Sequence, residues 1–162
     1  MSNKLLVYFS YTGNTRIIAK YILEKLNCDV LELHPKDKYL ENYQEVVDEY
    51  QSNESGKKIC ELMPYSVDLS KYDTLIIGSS VWWYTITPVI RIFLKQNSLA
   101  GKTVIPFATN AGWIGKTFKE VKELCSDSDV KNEMNIIFTE NYAEHKLKTS
   151  SSEIDKWLKS IY

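Results

Sequence analysis

The chain has 162 residues, of which 44% are hydrophobic and 25% are charged, and its formal net charge is −1. This length suits one domain with a buried core, so we expect residues 1–162 to form a single domain. The balanced charge argues against a nucleic-acid partner, and no apolar run approaches the ~20 residues that a membrane-spanning helix needs.

Short apolar segments predict five strands, which in chain order are Lys4–Phe9, Asp29–His34, Asp73–Ser80, Lys102–Thr109 and Met134–Phe138. The first, third and fourth of these segments are almost continuously apolar. Continuous rather than alternating hydrophobicity is typical of a parallel sheet that is covered on both faces.

Amphipathic patterns between and after the strands predict helices. The apolar positions that mark them are Ile18, Ile22 and Leu26; Ile86, Val89, Ile90, Phe93 and Leu94; Phe118, Val121 and Cys125; and Ile154, Trp157, Leu158 and Ile161. Pro88 suits the first turn of the second helix, where its missing N–H costs nothing. A further helix is predicted around Glu41–Gln51, within the polar segment Pro35–Ser66.

The alternation of strands and helices predicts an α/β fold. We expect an open, doubly wound, five-stranded parallel sheet with the strand order 2-1-3-4-5 and helices on both faces. In this order strands one, three and four are neighbours, and their carboxyl ends lie at one edge of the sheet. The loops that follow these three strands should therefore line one crevice.

The loop after the first strand predicts a phosphate site. It consists of Ser10, Tyr11, Thr12, Gly13, Asn14 and Thr15, and a helix follows. A helix N-terminus offers unpaired N–H groups and a partial positive charge, and the surrounding hydroxyls add donors for a phosphate dianion. An ordinary N-cap would explain one hydroxyl, but it would not explain three of them beside a glycine.

The loops after the third and fourth strands predict a site for a flat ring. The first consists of Ser80, Val81, Trp82, Trp83 and Tyr84, and the second of Thr109, Asn110, Ala111, Gly112 and Trp113. Neighbouring side chains of an extended segment alternate sides, so three consecutive aromatic rings cannot all enter the core. At least one ring should be exposed and able to stack on a planar heterocycle.

Together these loops resemble the flavodoxin family, in particular a subgroup with a Trp-Trp pair in the second loop. Ser10–Thr15 matches the family's phosphate loop, [ST]-x-T-G-x-T, at every defined position. Ser80–Tyr84 and Thr109–Gly115 occupy the places of the two loops that hold the flavin ring. The resemblance covers essentially the whole chain and implies a flavodoxin-like fold with flavin mononucleotide (FMN) as its cofactor.

The resemblance also implies roles for individual residues. Ser10, Thr12, Asn14 and Thr15 would donate to the FMN phosphate, and the ring would lie among Trp82, Trp83, Tyr84 and the loop 109–115. Backbone groups of Ser80, Val81, Asn110 and Gly112 are candidates for contacts with the polar edge of the ring. No catalytic side chain is expected, because a flavin carries the redox chemistry itself.

FMN binding leaves three functions open. The favoured one is an electron carrier between redox partner proteins, and the alternative is an oxidoreductase that takes hydride from NAD(P)H for a quinone or a similar small acceptor. A flavin-binding module without a redox role is the third. The oligomeric state is not determined by the sequence.

Charge around the site keeps the oxidoreductase open. Carriers of the family are typically strongly acidic, whereas the three loops with their flanking residues, 10–16, 79–93 and 108–119, contain no acid and hold Arg16, Arg91, Lys116 and Lys119. Fewer carboxylates near the ring predict a less negative potential for the fully reduced flavin than acidic carriers have. A second departure is Tyr84, where the subgroup often has glycine.

Neither a disulfide framework nor a metal site is expected. Cys28, Cys60 and Cys125 are far apart and form no Cys-x-x-Cys pair. His34 and His145 lack the spacing of metal ligands, and each is predicted to be a solvated or capping residue. The apolar stretch near the N-terminus is too short for a secretory signal, so we expect a cytoplasmic location.

Overall fold

The computed structural model describes residues 3–36 and 61–161, and strands and helices alternate along it. The strands are β1 (Lys4–Tyr8), β2 (Asp29–Glu32), β3 (Thr74–Trp82), β4 (Thr85–Ile86), β5 (Thr103–Asn110), β6 (Asp129–Val130) and β7 (Met134–Ile137). The helices are α1 (Asn14–Lys25), α2 (Pro88–Gln96), α3 (Thr117–Leu124) and α4 (Ser151–Lys159). The helix predicted around Glu41–Gln51 lies outside the described residues, as does Cys60. No helix in the two described ranges is long and apolar enough to cross a membrane.

The sheet confirms the predicted parallel arrangement. Its order is β2-β1-β3-β5-β6, and every pair along this path is parallel. The predicted fifth position is shared by two short strands, because β6 pairs with the beginning of β5 and β7 pairs with its end. Strands one, three and four of the prediction, which are β1, β3 and β5, are neighbours as expected.

Helices cover both faces of the sheet. Along β1, Leu5 and Val7 belong to the core cluster that includes residues of α2 and α3, whereas Leu6 and Tyr8 belong to the cluster that includes α1 and α4. This division follows from the alternation of side chains along a strand. Burial on both faces explains why these strands are almost continuously apolar.

The end of β3 differs from the prediction. The strand continues to Trp82, and the chain then reverses into β4, which pairs antiparallel with β3 through Trp82 and Thr85. Trp83 and Tyr84 form the turn with φ angles of 51° and 63°. Positive φ at both central residues is the geometry of a type I′ hairpin turn, which usually contains Asn or Gly. Ile86, predicted on the following helix, lies in β4 instead, because the hairpin delays the helix until Pro88.

A carboxylate of α3 holds this hairpin to the neighbouring helices. Glu120 accepts hydrogen bonds from the hydroxyl of Thr85 and from the Nε and Nη2 of Arg91, the latter at 2.9 Å. Arg91, on α2, also donates to the carbonyl of Ile86 at 3.3 Å. The pKa of Glu120 is lowered overall: burial raises it, but the hydrogen bonds from Arg91 and Thr85 outweigh that effect.

Gly78 leaves room for the ring of Phe107, its register partner on β5. A Cβ atom at this position would lie 2.3 Å from the Cζ atom of Phe107, whose ring is buried. We expect Gly78→Ala to lower the free energy of unfolding by about 1–3 kcal/mol, because the ring must move within a packed core. Denaturant unfolding of Gly78→Ala in the wild-type and Phe107→Leu backgrounds tests this. The same cost in both backgrounds would show that the ring is not the cause.

The ion pair of α3 predicts a pH-dependent stability. Glu120→Gln should lower the free energy of unfolding at pH 7 by about 1–2 kcal/mol, since hydrogen bonds to a charged group are lost. A lowered pKa in the folded state means that this contribution is complete above the ordinary glutamate pKa of about 4.3 and disappears as the pH falls through the folded value. The wild type and Glu120→Gln should therefore differ less in free energy of unfolding at pH 3 than at pH 7. Glu123→Gln, on the exposed side of the same helix, is the control, and an equal loss there would contradict the assignment.

Candidate functional site

A cavity of about 410 Å³ lies where β1, β3, β5 and β7 end. All three loops predicted from the sequence contribute to its wall. The predicted residues that line it are Thr12, Asn14, Ser80, Val81, Trp82, Trp83, Tyr84, Thr109, Asn110, Ala111 and Trp113. The crevice expected from the strand order is therefore present in the structure.

The other predicted residues lie behind or beside this wall. Ser10 is buried, and its Oγ accepts a hydrogen bond from the backbone N–H of Arg16 at 3.1 Å, so this hydroxyl caps the helix. Its proton is still available to donate. Thr15 is also buried, with its Oγ1 2.7 Å from the Oγ1 of Thr109, which joins the first loop to the third. Tyr11, Gly13 and Gly112 do not line the cavity either.

The first loop presents the N-terminus of α1. Gly13 occupies the N-cap position with φ 109°, a left-handed conformation that favours glycine. It supplies no side-chain cap, and the first turn of α1 contains no acidic residue. This end of the helix can therefore donate backbone N–H groups to an anion, as the sequence predicts.

The three consecutive aromatic residues of the second loop have different environments. Trp82 is 7% exposed and packs edge-on against Phe9 and Tyr11, with ring centroids 6.3 Å and 5.8 Å apart. Trp83 and Tyr84 are exposed by 37% and 59%. Trp82 thus forms part of the fixed wall, and its two neighbours line the cavity while remaining partly exposed.

The second and third loops are fastened to each other. The backbone N–H of Lys116 donates to the carbonyl of Tyr84 at 2.6 Å. Gly115 has φ 52°, and a Cβ there would lie 2.3 Å from that same carbonyl oxygen. Within the third loop, Asn110 accepts from the N–H of Gly112 at 2.8 Å. The aromatic hairpin and the glycine loop therefore form one rigid side of the cavity.

A fourth loop, which sequence reasoning missed, completes the cavity. It follows β7 and contributes Phe138, Thr139, Glu140 and Tyr142 to the lining. It carries neither glycines nor a cluster of aromatic residues, so no motif marked it. Its position was the available signal, because β7 ends at the same edge of the sheet as the other three strands.

The charge near the site is less positive than the sequence indicates. Arg16 donates to Glu32 at 3.0 Å and 2.5 Å, and Arg91 is paired with Glu120. The fourth loop adds the carboxylate of Glu140 to the cavity. Two of the four expected cations are thus neutralised, and one acid is gained.

The cavity has the properties that an FMN site requires. Its volume lies within the ~300–1,000 Å³ range of cofactor pockets. It combines a helix N-terminus and hydroxyls at the first loop with exposed aromatic rings at the second and third. The Oγ1 of Thr139 is buried without a hydrogen-bond partner in the described part of the chain, and its residue lines the cavity. A polyhydroxylated ligand such as the ribityl phosphate of FMN would supply that partner.

Comparison with known proteins supports the same interpretation. A family model described as Flavodoxin matches residues 3–158. A candidate flavoprotein from Bacteroides eggerthii DSM 20697 is 27% identical, with a TM-score of 0.76 over 99% of this chain and 98% of its own. A second one, from Bacteroides uniformis ATCC 8492, is 26% identical, with a TM-score of 0.74 over 98% of both chains.

A more distant flavoprotein shares the fold. It comes from Lactobacillus acidophilus NCFM, was crystallised in complex with FMN, and is 22% identical, with a TM-score of 0.71 over 97% of this chain and 99% of its own. A sequence search of curated proteins returns no match. Because the Flavodoxin model covers nearly the whole chain, the chain belongs to the flavodoxin family, as the sequence predicts.

Proposed function

We propose that the protein holds one FMN in this cavity and acts as an electron carrier between redox proteins. The observation that carries the proposal is the size of the cavity together with its rim. About 410 Å³ accommodates one ligand of this kind, and four of the aromatic side chains that line it, Trp83, Tyr84, Trp113 and Tyr142, are exposed. When bound, the flavin supplies the capacity to accept and release electrons.

The described residues divide the work of binding between the two ends of the cavity. At the first loop, backbone N–H groups at the start of α1 and the hydroxyls of Ser10 and Thr12 bind the phosphate. At the other end, Trp83, Tyr84 and Trp113 provide stacking surfaces for the ring. The contacts between the second and third loops hold these surfaces in place before the cofactor arrives, which lowers the entropy cost of binding.

Exposure of the rim favours a carrier. Trp83, Tyr84, Trp113 and Tyr142 are all among the exposed large hydrophobic residues, and all four line the cavity. A carrier must bring an edge of its flavin near the surface of a partner protein, and exposed aromatic residues are typical of protein contact sites.

The oxidoreductase remains the second candidate because of the same aromatic rim and the absence of acids in the first three loops. A nicotinamide or a quinone is planar and could stack on an exposed ring. Lys116 and Lys119, beside the third loop, are cations suited to a phosphate-bearing substrate such as NAD(P)H.

Anaerobic titration of the FMN-loaded protein with NADH and then NADPH distinguishes the two candidates. For a carrier we expect no bleaching of the flavin absorbance by either nucleotide, and a long-wavelength absorbance band at half reduction by dithionite. Rapid bleaching, with turnover after a quinone is added, would instead establish the oxidoreductase. Failure of the protein to bind FMN would contradict both.

The carboxylate of Glu140 predicts a change in reduction potential. Since reduction adds negative charge to the flavin, Glu140→Gln should make the potential less negative. A unit charge ~10 Å away corresponds to about 20–70 mV at ~2.3 kcal/mol per 100 mV, and the exposure of Glu140 favours the lower end. The measurement is a redox titration of the bound flavin.

Asp129→Asn provides the control for this variant. Asp129 is in register with Thr103 at the beginning of β5, seven residues before Asn110, or about 23 Å along the strand. Solvent ions screen charges over about 10 Å, so Asp129→Asn should leave the potential unchanged. Equal shifts in the two variants would mean that the effect of Glu140 is not local.

A further inference from the structure

The fourth loop reaches back across the edge of the sheet to the first loop. Its two arms are joined by backbone hydrogen bonds, from Thr139 N–H to the carbonyl of Lys146 at 2.8 Å and from Lys148 N–H to the carbonyl of Ile137 at 2.7 Å. Between the arms, a short 3-10 turn ends at His145. The backbone therefore fixes the place of this histidine.

His145 contacts the two residues at which α1 begins. Its Nδ1 lies 2.7 Å from the Oδ1 of Asn14. Its Cε1 would lie 3.2 Å from a Cβ built on Gly13. An amide oxygen can only accept a hydrogen bond, so Nδ1 carries the proton and Asn14 fixes both the tautomer and the direction of the ring. Asn14 lines the cavity at the end proposed for the phosphate, and the imidazole of His145 lies against Asn14 just outside that lining.

The only cationic side chain at the first loop is that of Arg16, and it is already engaged in an ion pair. The hydroxyls and N–H groups of the loop are neutral donors, and the guanidinium of Arg16 is held by Glu32 at 3.0 Å and 2.5 Å. A phosphate monoester carries close to two negative charges at neutral pH. In the sequence His145 lies between Glu144 and Lys146, whose charges are opposite in sign and largely cancel.

We propose that His145 is a phosphate-binding residue, whose imidazolium, oriented by Asn14, donates from Nε2 to the phosphate of FMN and so makes the site prefer FMN to riboflavin. The protonated ring has an N–H donor on each nitrogen, so it can donate to Asn14 from Nδ1 and to the phosphate from Nε2 at the same time. The resulting hydrogen bond is charge-assisted and stronger than one from a neutral donor. This inference rests on the proposed FMN site.

The test compares the dissociation constants of FMN and riboflavin, measured from the change in flavin fluorescence, in the wild type and in His145→Asn. Asparagine is chosen because position 145 has φ 52°, a left-handed conformation that Asn adopts readily. Riboflavin has the same ring and lacks the phosphate. For His145→Asn we expect about a fivefold to tenfold loss of FMN affinity. This loss is smaller than that for breaking a buried ion pair, because the site is exposed to solvent. Riboflavin affinity should be unchanged.

His34→Asn is the matched control, because it removes the chain's other histidine, which is exposed and lies beside Glu32 rather than Asn14, and it should alter neither affinity. His145→Gln gives a second uncharged variant should the first fail to fold, as judged by thermal unfolding without flavin. Equal losses for FMN and riboflavin would overturn the proposal by showing a structural role for His145. Unchanged affinities would also overturn it. A wild-type protein that binds no FMN would overturn the FMN site and this inference together.

Discussion

The burial of β1, β3 and β5 on both faces is the constraint on which the rest of this structure depends. Residues of these strands can carry only apolar or internally satisfied side chains, since helices pack on each side of them. Polar chemistry is therefore confined to the points where strands end and loops begin. Because the strands are parallel, four such points fall at one edge, and the cavity is the space between them.

Contacts between the loops turn this common edge into a shaped site. Thr15 joins Thr109, the carbonyl of Tyr84 joins the N–H of Lys116, and Asn14 joins His145. Each contact links two segments that are distant in sequence. The segments follow different strands, and the sheet brings them together. A site built in this way is held by the scaffold rather than by the ligand, which is what a cofactor needs if its environment is to stay constant while its charge changes.

The sequence predicted those elements whose signal is local. Continuous apolar runs located β1, β3 and β5, and the small polar residues around Gly13 located the turn between β1 and α1. The hairpin at Trp83 and Tyr84 was not predicted, because neither residue favours positive φ and the turn is stabilised by Glu120 from another helix. The fourth loop was not predicted for a related reason: it has no sequence pattern of its own and becomes part of the site through tertiary contacts.

The charge near the site also depends on tertiary contacts that the sequence does not reveal. The sequence counts Arg16 and Arg91 as positive charges near the flavin, but it cannot show that Glu32 and Glu120 fold against them. Pairing of charges depends on which elements are neighbours in space. The charge of a site is thus a property of the fold, whereas the charge of a loop is a property of the sequence.

The fifth position of the sheet is divided between β6 and β7, and this affects whether copies of the chain can pair at that edge. A long, regular strand at the border of a sheet offers an unbroken row of N–H and C=O groups on which a second chain can pair. Here that row is interrupted after Val130, where Asn132 adopts φ 54° and its carbonyl accepts a hydrogen bond from the indole of Trp157 at 2.6 Å. Beyond β7, Phe138 forms a bridge with Leu147. The border is therefore too short and irregular to act as a template for aggregation between copies of the chain.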